Sequence, residues 1–209
     1  MTRIRLQSVA APFDEPEVSA RAARVLTRAE AMGLLTTSRD VEQLDLARFR
    51  QLVQQMLRRG GIGRDAVLRL RADGIQDSEL LRRLLDQLYE QLEDSPVPER
   101  EWETLGHALG DELLAQLLGI SGSSLHRYAT GQRETPDSIA AKLHYLALIV
   151  GDLAGGYNER GIRRWFERRR VLLGGKAPLD LLSSRWEPDS APAVQVRDLA
   201  SAFASSPAT

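Results

Sequence analysis

Between positions 121 and 133, Ser121, Ser123, Ser124, His126, Arg127 and Arg133 are the candidate side chains for hydrogen bonds to nucleic acid. A hydroxyl pairs with several bases, whereas a guanidinium fork reads guanine or grips phosphate, which makes Arg127 the strongest of the set. Such groups read DNA only from one face of a helix that fits a groove. The stretch from Glu112 to Gly131 supplies that helix. Leu113, Leu114 and Leu117 give a first helix its apolar stripe, small Ala115 permits close approach, and Gly119 suits the positive φ of a tight turn. Ile120 plugs the core and Ser121 caps a second helix, in which Leu125 and Tyr128 face inward while Ser123, His126 and Arg127 face out. This is the spacing of a helix-turn-helix, whose second helix enters the major groove.

Charge tempers that reading. Between Thr104 and Val150, Arg127, Arg133 and Lys142 stand against Asp111, Glu112, Glu134 and Asp137, three cations to four anions. Phosphate affinity grows with the number of cations that displace counterions, so this unit is a poor phosphate binder by itself. It serves either as a DNA reader, helped by a dimer that adds a second half-site, or as a retained scaffold in which Arg127 only pairs with a neighbouring carboxylate. A compensating cluster lies further on. From Gly156 to Lys176, Arg160, Arg163, Arg164, Arg168, Arg169, Arg170 and Lys176 oppose only Glu159 and Glu167. Arginine's planar fork suits an acidic protein surface or a DNA backbone, and a solvated face is the plain alternative.

Composition sets the bounds. The chain has 209 residues, 43% of them hydrophobic, enough to bury a core in one domain or two small ones. A net charge of -1 provides no chain-wide field for nucleic acid. The absence of cysteine excludes disulfides, thiol nucleophiles and thiolate zinc sites. The start, Met1 to Leu6, lacks the apolar run of a signal peptide, and no run of about 18 apolar residues suggests a membrane span, so a cytoplasmic protein without membrane contact is expected. His107, His126 and His144 are widely spaced and outside any metal-ligand or nucleophile pattern, which assigns them surface or capping roles. Gly60-Gly61-Ile62-Gly63-Arg64 lacks the strand and Lys-Ser/Thr context of a phosphate loop and is read as a turn. Neither catalysis, metal nor cofactor is expected.

Few aromatics beside many Leu, Ala, Arg and Glu point to an all-α fold. Ile4 and Leu6 allow a short strand or nothing ordered. Helices are predicted from Val18 to about Leu35, broken by Thr36 to Asp40; through Leu46, Phe49, Leu52, Val53, Met56 and Leu57 to the glycines at 60, 61 and 63; and, after a short segment from Asp65 to Arg71, from Asp77 to Glu93. In the last of these, Leu80, Leu81, Leu84, Leu85, Leu88 and Leu92 form a broad apolar face, either core or a helix-helix dimer seam. Asp94 to Pro98 marks a boundary. Beyond it the pattern predicts a helix from Glu99 to Ala108, the two motif helices, and one capped by Asp137 or Ser138 that runs through Leu153. Next come a helix from Asn158 to Leu172, a Gly174-Gly175 stop, a short helix opened by Pro178, and a last one from Val196 to Phe203. The chain thus divides into an N-terminal helical region of unknown role (1–95), a helix-turn-helix domain (96–155) and a small helical domain (156–209).

From Trp102 to Phe203 the sequence resembles the Xre/MbcA/ParS-type antitoxins, which join an Xre-like helix-turn-helix to a C-terminal toxin-binding domain. One motif is Leu114-Ala115, Leu118 to Ser121, Leu125, Arg127-Tyr128, Gly131 and Pro136; the other is Trp165, Leu173-Gly174-Gly175 and Pro178 to Leu182, followed by Val194, Val196 and Leu199. The resemblance implies a type II antitoxin that neutralises a RES-like, NAD-consuming toxin by covering its active-site mouth, does no chemistry itself, and represses its own operon as a dimer on operator DNA. Residues ahead of Trp102 match nothing in that family, and Ser183 to Pro188 replaces the glycine-containing turn expected there.

On that basis the toxin-binding candidates are Arg164, Trp165, Arg168, Gly174, Gly175, Pro178, Leu179, Trp186 and Phe203. Trp165 also reads as core. Trp186, beside Glu187 and Pro188 in a polar stretch, reads as an exposed anchor of the kind enriched at binding hot spots. The alternative function is a stand-alone helix-turn-helix regulator with an N-terminal sensing or oligomerisation region.

Overall fold

A computed structural model describes residues 6–36, 41–71, 77–183 and 185–205. Ile4 and the predicted break at Thr37 to Asp40 lie outside them. Among the described residues the fold is all-α apart from one pair of four-residue strands, β1 (Leu6–Val9) and β2 (Val41–Leu44). The chain forms two compact units that meet in sequence at Ser95 and Pro96, within the acidic proline stretch.

In the first unit β1 pairs in parallel with β2, Leu6 opposite Val41 and Val9 opposite Leu44. Parallel neighbours need a long connection, and here it contains helix α1 (Pro16–Ala31). Helix α2 (Leu46–Gly60) starts at Asp45, whose carboxylate accepts the Arg48 N–H over 2.7 Å, and stops at Gly61 with φ 73°. Helices α3 (Arg64–Arg71) and α4 (Ser78–Asp94) complete the unit. The apolar face of α4 is core: Leu81, Leu84, Leu85, Leu88 and Leu92 are buried, and α4 packs on α1. That pair is also stitched by charge. Arg21 meets Asp86 at 3.1 Å, the buried Arg28 meets Glu93 at 2.9 Å, and the Arg24 guanidinium sits 4.3 Å from the Tyr89 ring centre.

The second unit contains α5 (Pro98–Leu109), α6 (Asp111–Leu118), α7 (Gly122–Ala129), α8 (Asp137–Ala154), α9 (Glu159–Glu167), a 3₁₀ turn (Val171–Leu173), α10 (Pro178–Leu181) and α11 (Ala191–Ser205). Residues from Pro96 onward form one unit, without the expected division at 155–156. The reason is α8, which is buried on nearly every side and packs against α5, α6, α9 and α11 alike. Tyr145 of α8 donates its hydroxyl to the Ala193 carbonyl over 2.6 Å, and Asp152 pairs with Arg197, so α8 and α11 are locked by polar contacts as well as by packing.

Three boundaries differ clearly from the sequence reading. Helix α1 ends at Ala31, with Gly33 at φ 71° just beyond it, rather than near Leu35. Helix α9 ends at Glu167, with Arg168 already extended, rather than reaching Leu172. Its inward stripe of Ile162, Trp165 and Phe166 would continue at Arg169 and Arg170, which cannot enter the core unpaired. Helix α11 begins at Ala191, earlier than Val196, and Pro192 fits its first turn. No single helix among the described residues is long and apolar enough to cross a membrane.

Candidate functional site

The helix-turn-helix is built by α6 and α7. Gly119 ends α6 with φ 66°, and the Ser121 hydroxyl accepts the Ser124 N–H over 3.2 Å, capping α7. Ser121 Oγ also bonds the Ser123 and Ser124 hydroxyls, each at 3.0 Å, so the three serines form one local network at the helix start. Leu125 and Tyr128 are buried, Ile120 is half-buried, and Ser123, His126 and Arg127 are exposed. Trp102 of α5 stacks on Tyr128 and donates its indole N–H to Thr135 over 3.0 Å, bracing α7 from behind.

On the outer face Arg127 donates to the Ser123 carbonyl over 3.3 Å and makes no ion pair among the described residues. Arg133 lies with its guanidinium 5.6 Å from the Tyr128 ring centre. Lys142 is withdrawn from this surface: it is buried, pairs with Glu187 at 3.5 Å and lies over the Trp186 ring.

The second face follows α9. Arg163 turns inward and caps the end of α5, donating to the Ala108 carbonyl over 3.0 Å and the His107 carbonyl over 2.9 Å. Arg160, Arg164, Arg168 and Arg169 are exposed, and none forms an ion pair among the described residues. The chain then closes a small loop. The Arg170 N–H donates to Lys176 O and the Gly175 N–H to Arg170 O, both over 2.9 Å. Gly174 and Gly175 have φ of 63° and 80°, a conformation that side chains on Cβ disfavour, which is why this loop needs both glycines.

The tip of this loop carries the most exposed apolar side chains recorded in the unit. Val171 is 94% and Leu172 80% exposed, while the adjoining Leu173 is buried and anchors the turn. Arg170 packs its guanidinium 5.4 Å from the Trp165 ring centre beneath it. Pro178 is buried, Leu179 is half-buried, and the Asp180 carboxylate accepts the Ala177 N–H over 2.9 Å to hold α10 in place. Arg168, Gly174 and Gly175 thus flank along the chain an exposed apolar point that the sequence reading does not include. The signal was present: an apolar pair between an arginine run and two glycines.

Three aromatic candidates are not free anchors. Trp186 is 4% exposed, tilts against Tyr145 at 5.3 Å and donates its indole N–H to the Leu117 carbonyl over 2.7 Å. Its polar neighbours in sequence hid a contact made with α6. Trp165 is buried edge-on to Phe166 at 5.2 Å, in keeping with its core reading. Phe203 is half-buried and stacked on Tyr157 at 4.7 Å, directly over Gly156, where any Cβ would collide with the ring.

His144 also departs from a surface role. It is buried, with Nδ1 2.7 Å from Oε1 of Glu101, which is fully buried in α5. Burial pushes the Glu101 carboxyl above the ordinary carboxylate range, and the imidazole beside it pulls the other way. Burial also raises the Tyr145 phenol. Among the described residues no cluster of three or more His, Asp or Glu is placed to hold a metal ion.

No protein-family model, curated protein or solved structure matches the chain. The functional reading therefore rests on its two exposed faces: hydrogen-bonding groups on α7, and an arginine-flanked apolar tip after α9.

Proposed function

We propose that this chain is an antitoxin of a type II toxin-antitoxin pair, which neutralises a RES-like toxin by direct binding and represses its own operon through α7. The Val171-Leu172 tip carries this reading. Two adjacent apolar side chains held out at the end of a glycine-closed loop offer a partner protein an apolar anchor. The exposed Arg164 on α9, and Arg168 and Arg169 just ahead of the tip in the chain, supply planar forks for carboxylates on the covering protein. On α7, Ser123, His126 and Arg127 offer donors to base edges and phosphates, and two copies would present two such helices to two half-sites.

Division of labour follows. Ser121 and Ser124 shape the start of α7, Trp165 and Trp186 hold the unit together, and the loop does the partner binding. The test is co-expression of the tagged chain with the product of the adjoining reading frame. Stoichiometric copurification with suppression of that product's toxicity supports the reading, and an inert, unbound neighbour contradicts it.

A further inference from the structure

The described arginines of the first unit fall into two groups. On α1 and α4 each is met by a neighbour: Arg21 by Asp86, Arg28 by Glu93, Arg82 by Glu15 at 3.5 Å, Arg83 by Glu79 at 3.6 Å, and Arg24 by the Tyr89 ring. Between Leu46 and Leu70 that balance fails. Arg48, Arg50, Arg58, Arg59, Arg64 and Arg69 stand there against Asp65 alone. Arg59 donates to the Gly33 carbonyl over 3.0 Å, and the other five form no ion pair among the described residues.

Helix geometry gathers part of this charge on one side of α2. Phe49, Leu52, Val53 and Met56 are buried, and Ala47, Arg50, Gln51, Gln54 and Arg58 recur three and four residues apart on the opposite side. Arg48 donates to Oε1 of Gln51 over 2.9 Å, which draws its guanidinium onto the same side. The face so formed holds arginines and amides, with no carboxylate and no large apolar side chain.

That composition selects the partner. A lipid surface takes up a helix through an exposed apolar face, and the apolar face of α2 is spent on the core. A protein contact is centred on aromatic or aliphatic anchors, which this face lacks. Phosphates are bonded by arginine forks and glutamine amides alike. Arg48 and Arg58, ten residues apart in the helix, lie about 15 Å from each other along its axis, matched to the ~12 Å width of the major groove between the strands of duplex DNA. We propose that the outer face of α2 is a sequence-independent binding surface for duplex DNA, with Arg48, Arg50 and Arg58 on phosphates and Gln51 and Gln54 between them. It brings phosphate affinity to a chain whose residues from Thr104 to Val150 carry more anions than cations. Neither the tip nor α7 takes part, so the proposal does not rest on the antitoxin reading.

The experiment is fluorescence anisotropy of the full chain on a labelled duplex unrelated to its own upstream sequence, between about 50 and 200 mM salt, with circular dichroism to confirm the fold of each variant. The wild-type chain is expected to bind with an affinity that falls as salt rises. Arg48→Gln with Arg58→Gln should weaken binding at least about tenfold and make the logarithmic salt slope shallower by about two, one for each lost phosphate contact. Arg82→Gln with Arg83→Gln removes the same charge from α4 and should change neither. The loss on α2 should persist in an Arg127→Ala background, which separates this surface from α7. A wild type that ignores the duplex at the lowest salt, α2 changes with no greater effect than the α4 pair, or tighter binding to phosphatidylglycerol vesicles or polyglutamate than to the duplex would each overturn the proposal. If the double variant does not fold, the exposed Arg58→Gln alone decides it, with a slope change of about one expected.

Discussion

The indole N–H of Trp186 donates to the carbonyl of Leu117 over 2.7 Å, tying the segment before α11 to the open end of the first motif helix. The last carbonyls of a helix have no partner within it, and this one is satisfied from 69 residues away. Trp186→Phe keeps an aromatic ring, though a smaller one, but strands a buried acceptor, and should lower the unfolding free energy by about 1–3 kcal/mol in urea titration. Trp186→Ala adds a cavity and should cost about 3–5 kcal/mol.

Two neighbouring arginines should behave differently. Arg163 caps α5 through two carbonyls, so Arg163→Ala should destabilise by about 1–3 kcal/mol. Arg164, exposed and without an ion pair among the described residues, should change stability by less than about 0.5 kcal/mol on the same substitution. Thermal unfolding of the two variants side by side checks this. Equal losses would contradict the assigned roles.

The buried Glu101 predicts a pH dependence of definite sign. Its folded carboxyl titrates above the ordinary value of 4.5, so between 4.5 and the raised value the unfolded chain has lost a proton that the folded chain retains. Stability from this group is complete below 4.5 and falls as pH rises through that window, by up to about 1.4 kcal/mol per pH unit. Glu101→Gln does not titrate. Its stability relative to the wild type should therefore rise from pH 4.5 upward, measured by urea unfolding at a series of pH values.

On α7 the reader and the cap separate by experiment. Arg127→Ala should weaken binding to the chain's own upstream DNA by about 1–3 kcal/mol in a fluorescence titration, with stability nearly unchanged. Ser121→Ala should instead cost about 1 kcal/mol of stability, because it removes the N-cap of the helix.

Local chemistry was readable from the sequence, and distant contacts were not. Gly119, Ser121, Leu125 and Tyr128 fix the turn, cap and inward face of the motif through neighbours a few residues away, and the helices are marked by stride and by glycine or proline. Trp186 looked exposed because its sequence neighbours are polar, while its partners Leu117 and Tyr145 lie far along the chain. His144 was misplaced for the same reason, its partner Glu101 being 43 positions away. Val171 and Leu172 lie within the helix expected to reach Leu172, whereas α9 stops at Glu167 and leaves both on an exposed turn. The arginines at 169 and 170, interrupting the apolar stripe, were the legible sign that the helix had already ended.

On the proposed function the tip after α9 is where a partner protein binds. The most direct measurement is copurification of the adjoining reading frame's product with the tagged wild-type chain and with its Leu172→Asp variant, both confirmed as folded. The expected result is a stoichiometric complex with the wild type and at least about a hundredfold weaker capture by the variant, whose altered side chain lies at the centre of the proposed contact. A variant that captures the product as well as the wild type does would contradict it.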